Sequence, residues 1–94
     1  MNHTTAQLHQ LRADQLQWTS TLPPISAQRV NASLQNLDAA IQAAEADLDW
    51  ETPFGEWVYD FEVWVAYYKA ARNQPAADKA ATLLCQGNLI LKGE

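Results

Sequence analysis

The sequence predicts an all-α fold: a small antiparallel helical bundle with three main helices and a short C-terminal one, forming a single domain over residues 1–94. Three observations carry this. Apolar residues recur at spacings of three and four along three long stretches. Prolines fall only between those stretches or at their starts, and alanine and glutamine, both good helix formers, are abundant. A chain of this length can bury one core without disulfide or metal staples.

The first helix opens with Thr4 and Gln7 in capping-box spacing, which would satisfy otherwise unpaired backbone amides. Leu8, Leu11, Trp18 and Leu22 form its apolar stripe, interrupted by Gln15, with Leu16 on the flank. Pro23 and Pro24 end it, because neither has an amide hydrogen to donate and each restricts the residue before it.

A second helix is predicted from Pro24 or Ser26 to Leu48. Ala27, Val30, Leu34, Leu37, Ile41, Ala44 and Leu48 alternate spacings of three and four and so lie on one seam built to meet another helix. After a short turn, Thr52 is the predicted cap and Pro53 the first residue of a third helix, because proline suits a position whose amide would be unpaired anyway. The shortness of the turn makes these two helices a hairpin.

The third helix runs from 53 to 72 and belongs to the most aromatic stretch of the chain. Between Trp50 and Arg72 lie three of the 4 tryptophans, all 3 tyrosines and both phenylalanines. Trp57, Phe61, Trp64, Tyr68 and Ala71 make a seam, widened by Val58, Val65 and Tyr67, leaving Tyr59, Glu62, Ala66 and Lys69 as the wet edge. Trp57, Tyr59, Phe61, Val63 and Val65 also alternate as a strand would. No second segment offers a partner strand, so helix is the consistent assignment. A short fourth helix follows over Pro75–Gln86, with Ala77, Ala80, Leu83 and Leu84 inward and Gly87 as its C-cap. Asn88 to Glu94 form a tail.

The formal net charge is −5, unevenly placed. Asp38, Glu45, Asp47, Asp49, Glu51, Glu56, Asp60 and Glu62 occupy a middle stretch without one lysine or arginine. Phosphate contacts require the opposite sign, so direct binding of nucleic acid is not expected, and a basic protein surface suits this region. The lone Cys85 excludes an internal disulfide, and a small buried residue is its default role. A reducing, cytoplasmic location follows, with neither a secretory leader nor a membrane span expected.

Chemistry-bearing motifs are sparse. Asp47, Asp49 and Glu51 resemble the opening of a calcium loop, but Thr52 stands where the turn glycine belongs and Val58 where the closing carboxylate belongs. His3 and His9 are wrongly spaced for a shared metal. Glu56, Asp60 and Glu62 lie beside aromatic surface that can raise a carboxyl's proton affinity, yet no nucleophile, histidine or phosphate loop accompanies them. The expectation is a protein that is not an enzyme and that has no cofactor and no metal.

The expected function is that of a small acidic interaction protein: an inhibitor, adaptor or immunity-type protein that sets an acidic aromatic hairpin end on a basic partner protein. One form of this is mimicry of nucleic acid in a basic groove. The candidate contact residues are Asp47, Asp49, Trp50, Glu51, Phe54, Glu56, Tyr59 and Glu62, because exposed aromatics beside charge make effective binding anchors. The alternative is a self-associating assembly subunit, a homodimer through the second helix, with a small enzyme or ligand carrier as a third reading.

Overall fold

The computed structural model describes residues 3–93; Met1, Asn2 and Glu94, the outermost bounds of the predicted domain and tail, lie outside them. The described residues form five α-helices and no strand: α1 (His3–Thr19), α2 (Pro24–Asn31), α3 (Leu34–Glu45), α4 (Glu51–Ala70) and α5 (Gln74–Leu91). The aromatic stretch is therefore a helix, and the strand pattern within it is incidental. α1 and α3 are neighbours, as are α3 and α4, α4 and α5, and α5 and α1, which closes a ring around the core. Two side-chain pairs, His9 with Glu45 and Arg12 with Asp38, show that α1 and α3 run in opposite directions.

α1 is helical from His3, so Thr4 lies within its first turn rather than ahead of it. Leu8, Leu11 and Trp18 are buried, as is Gln15, and Leu16 is exposed as its flank position implies.

The predicted second helix is divided into α2 and α3 by a tightened turn at Ala32 and Ser33. The Val30 carbonyl oxygen accepts from the Ser33 amide at 3.1 Å and from the Ser33 hydroxyl at 2.8 Å. A side chain bonding back onto the ladder in this way bends a helix. The apolar spacing runs through the bend without changing phase, which is why the seam does not reveal it. Val30, Leu37, Ile41 and Ala44 are buried inside the chain, but Leu48 is 67 % exposed.

α3 ends with Asp47 in the left-handed region at φ 58°. The Leu48 amide donates to the Ala43 carbonyl at 2.8 Å and the Asp47 amide to Ala44 at 3.2 Å, a Schellman closure. α4 ends the same way at Arg72, φ 59°, with Asn73 donating to Tyr68 at 2.9 Å.

Capping of α4 corrects the prediction. Asp49, not Thr52, supplies the cap: its carboxylate accepts from the Glu51 amide at 3.0 Å, the Thr52 amide at 3.3 Å and the Thr52 hydroxyl at 2.6 Å. These bonds, that of the Thr52 hydroxyl foremost, hold the Asp49 carboxyl below the usual aspartate range.

The C-terminal helix is not short. Asn73 caps α5 by accepting from the Ala76 amide at 3.3 Å, and the helix continues through Gly87 to Leu91. Gly87 is a packing glycine rather than a C-cap: a Cβ there would stand 2.5 Å from Cζ3 of Trp57. It continues the inward series Ala76, Ala80 and Leu83 at spacings of four and three and leads to buried Ile90, so most of the predicted tail is helical. Cys85, on the outer side of α5, is exposed, not buried.

Trp57 occupies the centre. Its ring stacks on Phe61 at 4.3 Å and on Phe54 at 5.4 Å between centroids, and all three side chains are 0 % exposed. Each ring contributes on the order of 1.5–3 kcal/mol by leaving water. The Trp57 indole N–H donates across the core to Gln15 Oε1 at 2.9 Å. Gln15 Nε2 in turn reaches Ser33 Oγ at 3.0 Å and Asn31 Oδ1 at 3.2 Å, and Asn31 Nδ2 donates to Thr19 Oγ1 at 3.0 Å. What interrupts the stripe of α1 is thus a buried polar hub joining α1, the α2–α3 bend and α4.

Candidate functional site

The eight candidate residues do not form one surface. Phe54 is in the core at 0 % exposure, which removes it as a contact residue. α5 closes over it, as the approach of Gly87 to its ring shows, so it is not the exposed aromatic the sequence predicts. The others divide into a tip and a stripe.

The tip is the α3–α4 turn, with Asp47, Asp49 and Glu51 exposed and Trp50 half-buried, its ring 5.8 Å from that of Phe54. Asp49 is occupied as the cap. The residue missing from the expectation is Leu48. In a Schellman closure an apolar residue in its position normally packs back onto the third residue from the helix end, but here that residue is Ala43, too small to cover it. An exposed leucine, its backbone amide fixed by the Ala43 carbonyl, therefore stands next to Asp47 and Asp49 in the turn.

The stripe runs along α4. Glu56, Tyr59 and Glu62 are exposed, and with them Val63 at 48 % and Tyr67 at 51 %, both missed by sequence reasoning. The signal was present: 59, 63 and 67 are four apart and share a face. Tyr67 was assigned to the core seam because the predicted helix had no room for a second exposed edge. The ring of neighbours leaves one side of α4 open and so supplies that room. Tyr68, on the opposite side, is buried, and burial followed by the adjacent Tyr67 pushes its phenol up from the ordinary tyrosine value.

Beside the stripe, a cleft of about 410 Å³ opens between the α2–α3 bend and α4, bordered by Arg29, Ala32, Ser33, Asp60 and Trp64 together with Tyr59 and Val63. Asp60 accepts from Asn36 Nδ2 at 3.0 Å. The Ser33 hydroxyl already donates to Val30 and accepts from Gln15, which leaves it without a base to activate it.

Comparison with protein-family models, curated proteins and solved structures finds no match.

Two acids of the middle stretch are satisfied within the chain. Arg12 Nε donates to Asp38 Oδ1 at 2.6 Å, and His9 Nε2 lies 3.0 Å from Glu45 Oε2. Both are partly exposed pairs, worth roughly 0–1 kcal/mol each. Among the described residues, Asp47, Glu51, Glu56 and Glu62 have no ion-pair partner, and no group of three or more His, Cys, Asp or Glu side chains is placed to hold a metal ion. No described helix is long and apolar enough to cross a membrane.

Proposed function

We propose that this chain is a non-enzymatic interaction protein, an inhibitor, adaptor or immunity-type protein, that sets the tip of its α3–α4 turn on a basic surface of a partner protein. The observation that carries the reading is Leu48, 67 % exposed and flanked by Asp47, Asp49 and Glu51. An exposed apolar anchor beside exposed carboxylates suits a pocket rimmed by lysine and arginine, where burial supplies affinity and charge supplies orientation and approach rate. A basic groove that otherwise receives nucleic acid is one such surface. The reading places the chain in the cytoplasm, where an exposed lone thiol such as Cys85 stays reduced. The second-helix seam does not carry the self-associating alternative, since Val30, Leu37, Ile41 and Ala44 are spent inside the chain.

The test compares wild type with a variant carrying Asp47→Lys, Leu48→Ser and Glu51→Lys, leaving Asp49 in place because its loss would disturb α4. Partners from native extract are cross-linked and quantified by mass spectrometry at low and high salt. The expected result is a basic protein enriched by wild type, lost by the variant and weakened by salt as the Debye length shrinks below about 10 Å. Equal recovery by both proteins, with helical circular dichroism unchanged, would refute the reading.

A further inference from the structure

Packing within one chain leaves Tyr59, Val63 and Tyr67 of α4 at 61 %, 48 % and 51 % exposure, and the cleft at the α2–α3 bend opens directly beside Tyr59 and Val63. The geometry points to a second copy of this chain as what covers them. The two α4 helices lie antiparallel about a twofold axis at Val63, each Tyr67 seated at the mouth of the other copy's cleft.

Two features select that occupant and that direction. Tyr59 and Tyr67 stand equally far from Val63 on the same face, so a twofold axis there brings Tyr67 of one copy opposite Tyr59 and Asp60 of the other, where the cleft begins. Each copy then offers one knob and one hole, as a self-complementary twofold interface requires.

The second feature is charge. Glu51 and Glu56 occupy the first half of α4 and Asp60 and Glu62 its middle, while Lys69 stands in its last turn and Arg72 just beyond it. Antiparallel pairing sets Lys69 of one copy beside Glu56 of the other, whereas parallel pairing would set like charge on like. Glu62, next to the axis, meets its own counterpart and opposes the pair. The starts of the two α4 helices, each twelve residues from the axis, then lie at opposite ends of the assembly, about 36 Å apart. Both tips stay free, so this inference stands whether or not the tip binds a partner.

Sedimentation equilibrium of the purified chain from micromolar to millimolar concentration tests it. A monomer–dimer equilibrium is expected. Val63→Glu and, separately, Tyr67→Ala weaken it at least about tenfold, with helical circular dichroism retained because both side chains are half exposed. At low salt Glu56→Lys and Lys69→Glu each weaken the dimer and the double reversal restores it, while Glu62→Gln tightens it. A monomer at every concentration, indifference to Val63→Glu and Tyr67→Ala, or failure of the double reversal to restore association would each overturn the assignment.

Discussion

Substituting alanine for Gly87 sets two known effects against each other. Alanine is the better helix former, by roughly 0.8–1.0 kcal/mol in a helix interior. Against this, the new methyl would stand 2.5 Å from Trp57 Cζ3, 3.3 Å from Cη2 and 3.4 Å from the Phe54 ring. The indole cannot swing aside: Phe54 and Phe61 stack on it, and Gln15 holds its N–H. Relief must come from moving α5 off α4, and overpacking of this kind costs about 1–3 kcal/mol. The net expectation is a loss of up to about 2 kcal/mol, or a fall in Tm of up to roughly 15 °C for a domain of this size. Gly55→Ala is the control, since Gly55 lies within α4 and a Cβ there meets nothing within 4 Å. It should gain up to about 1 kcal/mol. Urea denaturation followed by tryptophan fluorescence reads both. A cycle with Trp57→Leu separates packing from backbone effects: the cost of Gly87→Ala should shrink when the indole is gone. A Gly87→Ala protein stabilised as much as Gly55→Ala, or a cost undiminished in the Trp57→Leu background, refutes the packing argument.

Two further predictions concern polar groups. Gln15→Leu adds apolar bulk at a fully buried position yet should destabilise by about 1–3 kcal/mol, because the Trp57 indole N–H loses its acceptor; denaturant unfolding would show it, and a more stable variant would remove the hub's role. Asp49→Ala should lower Tm at neutral pH and flatten the acid limb of the stability profile. The folded Asp49 carboxyl is held below its ordinary value of 3.8, so its contribution is present above that value and is lost as pH falls through the lower folded one. Thermal melts across the acid range check the sign.

What the sequence alone determined is the helical class, most of the core and the aromatic spine. Each follows from spacing along the chain, which fixes the face on which a side chain lies whatever that face meets. Val30, Leu37, Ile41, Ala44, Trp57, Phe61 and Tyr68 are buried where periodicity put them. What only the tertiary structure decided is which faces find neighbours and what strains that meeting sets up. Gln15 reads as a flaw until Trp57 and Ser33 arrive from distant segments to satisfy it. Gly87 reads as a stop signal until Trp57 occupies the space a Cβ would need. The bend at Ser33 is invisible because a hydroxyl bonding to Val30 leaves the apolar phase intact. Phe54 is covered by α5, while Leu48, Val63 and Tyr67 are left open. Periodicity carries no information on that choice, because exposure depends on how many other helices reach a face.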